Sequence, residues 1–292
     1  MTKKPITDSF SLSGWVMMQG EIYQELPETD KMPVLFIGHG SLLNIVLNNS
    51  YTESLVRLGK ELPKPKAIMV VSAHWLTNGT YVTCNENPRL IYDFYGFPRE
   101  LYQVKYPSSG SPEVAEFTSE LVRSVQVKCN NDWGLDHASW AVLKHMYPQA
   151  DIPIFEMSLD YSFNEWNSKT VKYHYDLASE LGKLRRKGVL IIGSGNIVHN
   201  LGMIDFSNID AKPFDWAVEF DEKVKSNMLS GNHRNLIDYR NMGRTAPFAV
   251  PTLDHYLPMI YAIALQETDD PLEFVHEGFQ YGSISMRSFR IG

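Results

Sequence analysis

Short apolar runs rich in valine and isoleucine alternate with longer segments whose apolar residues recur at helical spacing, across most of the 292 residues. A strand buried on both faces reads as an unbroken apolar run, whereas a covering helix shows an apolar stripe, so the alternation predicts an α/β fold. The expected architecture is a central, largely parallel or mixed sheet flanked by helices, with the active site at the carboxyl rim of the strands. Strands are predicted at Val34–Gly38, Ala67–Ser72, Tyr81–Cys84, Ile152–Ser158 and Val189–Gly193. Helices are predicted at Leu42–Leu62, Pro112–Val125, His137–Met146, Ser168–Arg186, Phe214–Met228 and Asp254–Leu265. Pro112 suits a first helical position and Asp136 suits a cap.

The segment Asn85–Gly110, with three prolines and six tyrosine or phenylalanine residues, interrupts the alternation. A long irregular loop in a compact domain is often functional. No repeat, low-complexity tract or linker divides the chain. The expectation is one catalytic domain over residues 32–292 behind a polar extension over residues 1–31. That extension lacks the apolar core of a signal peptide.

A net charge of −7 argues against a nucleic-acid or anionic-membrane surface, because either would need a basic patch. No apolar run reaches the roughly 18 residues of a membrane span. A small-molecule substrate follows as the expected partner, with no nucleic acid and no membrane. Cys84 and Cys129 are the two cysteines, too few for a disulfide framework or a cysteine-rich metal site. They fit a reducing cytoplasm; a single bridge between them is the alternative.

Candidate chemistry lies in the histidines, nine in all. His39 closes the run that begins at Val34, His74 closes the run that begins at Ile68, and His199 follows the run that begins at Val189. At the carboxyl edge of an open sheet, such residues can converge on one ligand. His137 and His255 fall where helices should begin. Imidazoles with almost no cysteine suit a first-row transition metal, and imidazole also moves protons near neutral pH. Each histidine also has a plainer reading. His39 or His74 could be an ordinary loop residue, His137 could cap its helix, His199 could bond backbone, and His255 could be solvated. His145, His174, His233 and His276 read as structural or solvated. Gly193-Ser194-Gly195 is similar to part of a phosphate loop but lacks that motif's longer glycine spacing and its lysine.

Taken together, ordered segments of the chain resemble the class III extradiol dioxygenases of the protocatechuate-dioxygenase B-subunit type, and within them the DOPA 4,5-dioxygenase-like branch. They are Gly38-His39-Gly40-Ser41, Ser72-Ala73-His74-Trp75, Asp93 to Pro98, Tyr106-Pro107, Gly134 to His137, Met146 to Pro148, Gly193 to Asn200, Asp254 to Pro258 and Tyr281 to Met286. The resemblance implies one divalent metal per chain held by His39, His74 and His255, with iron(II) for ring cleavage and zinc as the alternative occupant. It implies that His199 is the acid/base and that His137 lines the pocket. The sequence departs from the family pattern at Ala138, where glycine is usual, and at Val250. Many extradiol enzymes use two histidines and a carboxylate, whereas three neutral imidazoles would leave the metal its full charge for an anionic catecholate.

The activity implied is insertion of both atoms of O2 into a catechol ring, through a lactone, to give a muconate semialdehyde. The substrate could carry an amino-acid side chain, as DOPA does. Tyr92, Tyr95, Phe97 and Arg99 of the aromatic loop are candidate pocket walls. A monomer or small homo-oligomer is expected. Two other readings stand beside this one: a zinc hydrolase, because three histidines with an open position activate water, and a non-catalytic metal-binding or interaction protein on the same fold. An acid/base at His199 would favour an enzyme.

Overall fold

Eight strands form one mixed sheet in the computed structural model, which describes residues 15–18, 21–24, 26–163 and 167–292. In chain order the strands are β1 (Trp15–Met18), β2 (Glu21–Gln24), β3 (Val34–Gly38), β4 (Ala67–Thr77), β5 (Thr80–Thr83) and β6 (Val127–Asn130). They continue with β7 (Ile154–Asp160), β8 (Val189–Gly195), β9 (Leu272–His276), β10 (Phe279–Gln280), β11 (Ile284–Ser285) and β12 (Ser288–Ile291). The large sheet runs β6-β5-β7-β4-β8-β3-β12-β9, while β1-β2 and β10-β11 form separate antiparallel pairs. Its centre, β7-β4-β8-β3, is parallel, and antiparallel strands are added on both sides.

Strand alternation divides the core. Val34 and Phe36 of β3 pack into one apolar cluster, Leu35 and Ile37 into another on the opposite face. Each fully buried side chain of this size contributes about 1.5–3 kcal/mol. The second cluster is covered by α1 (Ser50–Glu61) and, beyond α2 (Pro112–Leu121), by α3 (His137–Met146). The first is covered by α4 (Ser168–Ser179), α5 (Gly182–Arg185), α6 (Asp215–Leu229), α7 (His233–Ile237), α8 (Ala246–Ala249) and α9 (Leu257–Ala264). Among the described residues, no helix is long and apolar enough to cross a membrane.

Several expectations are corrected. The helix expected over Leu42–Leu62 is a 3-10 turn at Leu42–Ile45 followed by α1, because the Asn49 side chain accepts from Thr52 N and starts a new helix with a reciprocal capping box. The helix expected over Pro112–Val125 stops at Leu121, and β6 follows it. Pro112 does occupy the first turn. Ser168–Arg186 divides into α4 and α5. The helix expected from Asp254 begins at Leu257, which leaves Asp254 and His255 in the preceding turn. Asp136 precedes α3 but makes no side-chain cap; it is fully buried and turned toward β4, where Ser72 Oγ donates to it at 2.6 Å.

The cysteines are a further correction: Cys84 and Cys129 form a disulfide. The cause is pairing that the sequence does not display, because β5 and β6 run parallel with Val82 opposite Cys129, and the cysteine Cα atoms lie 5.5 Å apart. The polar extension expected over residues 1–31 lies partly outside the described residues. Its last part is tied down, with Lys187 Nζ donating to Leu26 O and Thr29 N donating to Arg186 O.

Candidate metal centre

Three adjacent parallel strands, β4, β8 and β3, set the position of the candidate site. His39 follows the last residue of β3. His74 lies inside β4 rather than past it, at the register break between Val71 and Leu76, where pairing with β7 is interrupted. His255 comes from the turn before α9 and is fixed against β8 by Asn196 N donating to His255 O at 2.9 Å.

Glycines make this last approach possible. A Cβ on Gly195 would lie 2.3 Å from the His255 carbonyl oxygen, and one on Gly193 would lie 2.1 Å from that of Pro258. Gly193-Ser194-Gly195 therefore serves close backbone packing, which accounts for glycine there without a phosphate.

One ring nitrogen each from His39, His74 and His255 lies within 4.8 Å of the others. Their hydrogen bonds show which nitrogens face the common point. The Ser194 hydroxyl gives its single hydrogen to Ala138 O at 2.7 Å, so at 3.1 Å it must accept from His39 Nδ1–H. His74 Nδ1 faces Asp93 Oδ2 at 2.9 Å, and His255 Nδ1 faces Asp254 Oδ2 at 2.6 Å. With each Nδ1 held by an oxygen, each Nε2 keeps its lone pair for a metal, an arrangement usual around metal-bound imidazoles. His74 Nε2 is buried with no hydrogen-bond partner, as a residue with an unfilled ligand role would be. The donor set fits a first-row divalent ion.

Asp93 does double duty. Its Oδ1 accepts from His137 Nδ1 at 2.8 Å and from His137 N at 3.0 Å, while Oδ2 faces His74. The His74 and His137 rings consequently meet edge to face, centroids 4.1 Å apart. Below them, His74 N donates to Ser72 Oγ, and Ser72 Oγ donates to the buried Asp136. Glu156 in turn accepts from Asp136 N, Ser139 Oγ and Trp133 Nε1.

His199 lies flat against His255, ring centroids 3.5 Å apart and planes 8° apart. Its backbone is held by His199 N donating to Ala249 O and by a bridge to Ile284. It is not in the three-nitrogen group. His74 and His199 are the partly exposed rings, whereas His39, His137 and His255 are buried.

The electrostatics follow the packing. Burial, reinforced by neighbouring imidazoles, pushes His39 and His199 well below the ordinary histidine range. Burial also lowers His255 and His137, although the carboxylates of Asp254 and Asp93 oppose it. For His74 burial is outweighed by Asp93, Asp136 and Asp254, and its pKa is raised. Burial works against charge on Asp93 and Asp254, yet their histidine partners hold both below the usual carboxylate range. Glu156 and Asp136 are pushed up, chiefly by burial.

Of the expected pocket walls, Tyr95 is corrected: it is 92% exposed and belongs to the surface. Arg99 is also exposed. Tyr92 donates to Val104 O and packs near Trp140, and Phe97 packs against Phe94. The aromatic side chain that meets the histidines is Phe94, perpendicular to His137 with centroids 5.7 Å apart. Sequence reasoning missed Phe94, Asp93, Asp254 and Ser194. Asp93, Phe94 and Asp254 stand inside segments already singled out, beside residues that were assigned roles. His145, His174, His233 and His276 lie outside the cluster; His174, for example, is bonded to Tyr261 Oη and Asp160 O.

Comparison with known proteins agrees with this arrangement. The 4,5-DOPA dioxygenase extradiol of Escherichia coli (strain K12) is 41% identical over 266 residues, covering 90% of this chain and 95% of that protein. The Beta vulgaris protein of the same name is 31% identical over 87% of this chain and 94% of its own length. The crystal structure of an uncharacterized protein from Escherichia coli K12 superposes with a TM-score of 0.77 at 37% identity, covering 90% of this chain and all of that one. The pattern of the catalytic LigB subunit of aromatic ring-opening dioxygenase matches residues 43–291, which includes His74, His137, His199 and His255 and begins just after His39. The fold and the site define a metal-dependent extradiol dioxygenase, an oxidoreductase. The chain belongs to the LigB family of aromatic ring-opening dioxygenases.

Proposed function

We propose that this chain opens the ring of a single-ring catechol bearing an amino-acid side chain, with DOPA as the type, between a ring hydroxyl carbon and its outer neighbour. The observation that carries the reading is the convergence of His39, His74 and His255 with a further imidazole, His199, stacked beside them. The relatives named for DOPA cleavage support the substrate class. Residues 32–292 would act as one catalytic unit.

A divalent ion held by the three Nε2 atoms, iron(II) for turnover with zinc as a competing occupant, would supply open positions for both catechol oxygens and for O2. The protein's own residues do the rest. Catechol enters from the side where His74 and His199 are partly exposed. His199, kept neutral by burial, takes a phenolic proton and later returns it. Asp93 holds His137 by Nδ1, so its Nε2 is free to bond a substrate oxygen. Phe94 forms an apolar wall beside His137, with Tyr92 and Phe97 behind it.

The test is oxygen uptake by iron(II)-loaded protein with DOPA and simpler catechols, in air and under nitrogen. The expected result is oxygen consumed in proportion to a ring-opened, visibly absorbing product, in air only. Turnover that persists without oxygen, or no uptake with any catechol, would overturn the reading.

A further inference from the structure

The Cys84–Cys129 bridge stands at the edge of the large sheet, and no step of ring cleavage uses it. β6 is the end strand of that sheet, paired with β5. Val127 is its one buried residue; Cys129 is exposed and Cys84 half-buried. A strand with so little buried surface opens locally at small cost, so the covalent bond is a main restraint on it. The exposed Cys129 is within reach of a thiol in solvent.

Two arms leave the bridge for the metal centre. Asp93 follows Cys84 by 9 residues, and His137 follows Cys129 by 8. The arms pair along the way. Cys84 N donates to Asn130 O, the Asn85 side chain donates to Asn131 O and Trp133 O, Leu135 N donates to Arg89 O, and Ile91 N donates to Leu135 O. They fit closely, since a Cβ on Gly134 would lie 1.9 Å from Arg89 O. The 130–137 arm has its own anchor in Trp133, which stacks on Trp75 with centroids 5.5 Å apart and donates to Glu156. The 85–93 arm leans on it, helped by Trp140 Nε1 donating to Ile91 O. A change in how the arms are joined at Cys84 therefore reaches Asp93, whose carboxylate faces both His74 and His137.

We propose that Cys84–Cys129 is a thiol-exchange site that governs how firmly Asp93 is held, so that a dithiol reductant weakens the metal centre and reoxidation restores it. A thiolate of the reductant attacks Cys129 Sγ, forming a mixed disulfide and releasing Cys84 as a thiolate. The second thiol of the reductant then displaces Cys129, so two electrons and two protons pass to the protein and the reductant leaves as a disulfide. The reverse exchange with a small disulfide closes the bridge and releases two thiols.

The test treats the native protein with dithiothreitol under nitrogen, removes the reductant by desalting, and compares treated with untreated protein by thiol titration, hydrogen exchange and zinc competition titration. Two thiols per folded chain are expected, with faster exchange at residues 85–93 and unchanged exchange in β3, β4 and β8. Zinc binding should weaken several-fold, less than the roughly 10–100-fold that follows loss of the outer partner of a metal-bound histidine. Oxidised glutathione should reverse all three changes. The double variant Cys84→Ser, Cys129→Ser should show the reduced behaviour from the start and ignore dithiothreitol; a response that persists in it would overturn the proposal. Should that variant not fold, the parent before and after reduction decides alone. Thiols that appear only in denaturant, or that appear with exchange and zinc affinity unchanged, would also overturn it.

Discussion

The His199 ring lies parallel to that of His255, 3.5 Å away, so a proposed proton carrier rests on a proposed metal ligand. Two imidazoles this close resist holding charge together, and burial with His255 as neighbour pushes His199 well down. His199→Phe keeps a flat ring in the stack and removes only the proton chemistry. It should retain metal and anaerobic catechol binding while turnover falls by about 10²–10⁴-fold. His255→Ala should lose metal and catechol binding together. Metal analysis, absorbance titration under nitrogen and oxygen uptake on both variants separate these outcomes; metal loss in His199→Phe would make it a ligand instead.

Asp93 faces two rings, Oδ1 accepting from His137 and Oδ2 lying 2.9 Å from His74 Nδ1. Asparagine has one carbonyl oxygen and an NH2 that cannot accept, so Asp93→Asn must lose either His74 or His137. Metal affinity should drop about 10–100-fold, as when the outer partner of a metal-bound histidine is removed. Zinc competition titration measures it. Affinity equal to that of the parent would show that the His74 ring needs no carboxylate.

Gly195→Ala introduces a methyl group 2.3 Å from the carbonyl oxygen of His255. Backbone is the obstacle, so no side chain can swing away, and intrusion of this kind costs about 1–3 kcal/mol. The expected result is a modest fall in Tm with a larger fall in metal binding, because His39 and His74 do not share the clash. Loss of stability with metal affinity preserved would show that His255 shifts without leaving the site.

Away from the site, the buried Arg185 donates to Asp270 at 2.6 Å, and Lys31 also reaches Asp270. Burial opposes charge on Asp270, but hydrogen bonds from Arg185 and Lys31 hold its pKa down to about 2. A carboxyl lowered on folding stabilises the native state above its ordinary pKa. That contribution is complete above roughly pH 4 and fades as pH falls toward 2. Asp270→Asn should therefore cost about 3–5 kcal/mol at pH 7, the usual cost of leaving a buried partner charge unpaired. The difference from the parent should shrink on acidification, as measured by urea unfolding at several pH values. A difference that does not vary with pH would mean that packing, not charge, holds the pair.

How much of this was legible in the sequence depended on whether a feature was local. His39 and His199 could be placed because each lies beyond the end of an apolar run, and such runs are a local signal. His74 was placed nearby but not inside β4, because the register break around it arises from pairing with β7. The paired roles of Asp93 and Asp254 were invisible for the same reason: a carboxylate in a loop carries no sign of which imidazole it will meet. Tyr95 misled because aromatic content says nothing about which way a loop residue faces, and its neighbour Phe94 took the inward position. The disulfide required the parallel pairing of β5 with β6, strands with 43 residues between them in the chain. The C-terminal strands β9 to β12 went unforeseen because they are two to five residues long and leave no periodic signal.

Ser194 has one hydrogen, and Ala138 takes it. His39 is thereby denied any choice of tautomer, and Asp93 and Asp254 impose the same limit on His74 and His255. The three rings are thus held in their ligand form by polar partners that the protein itself supplies. An arriving metal meets a rigid receptor, and little of its binding energy is diverted into arranging the groups that hold it.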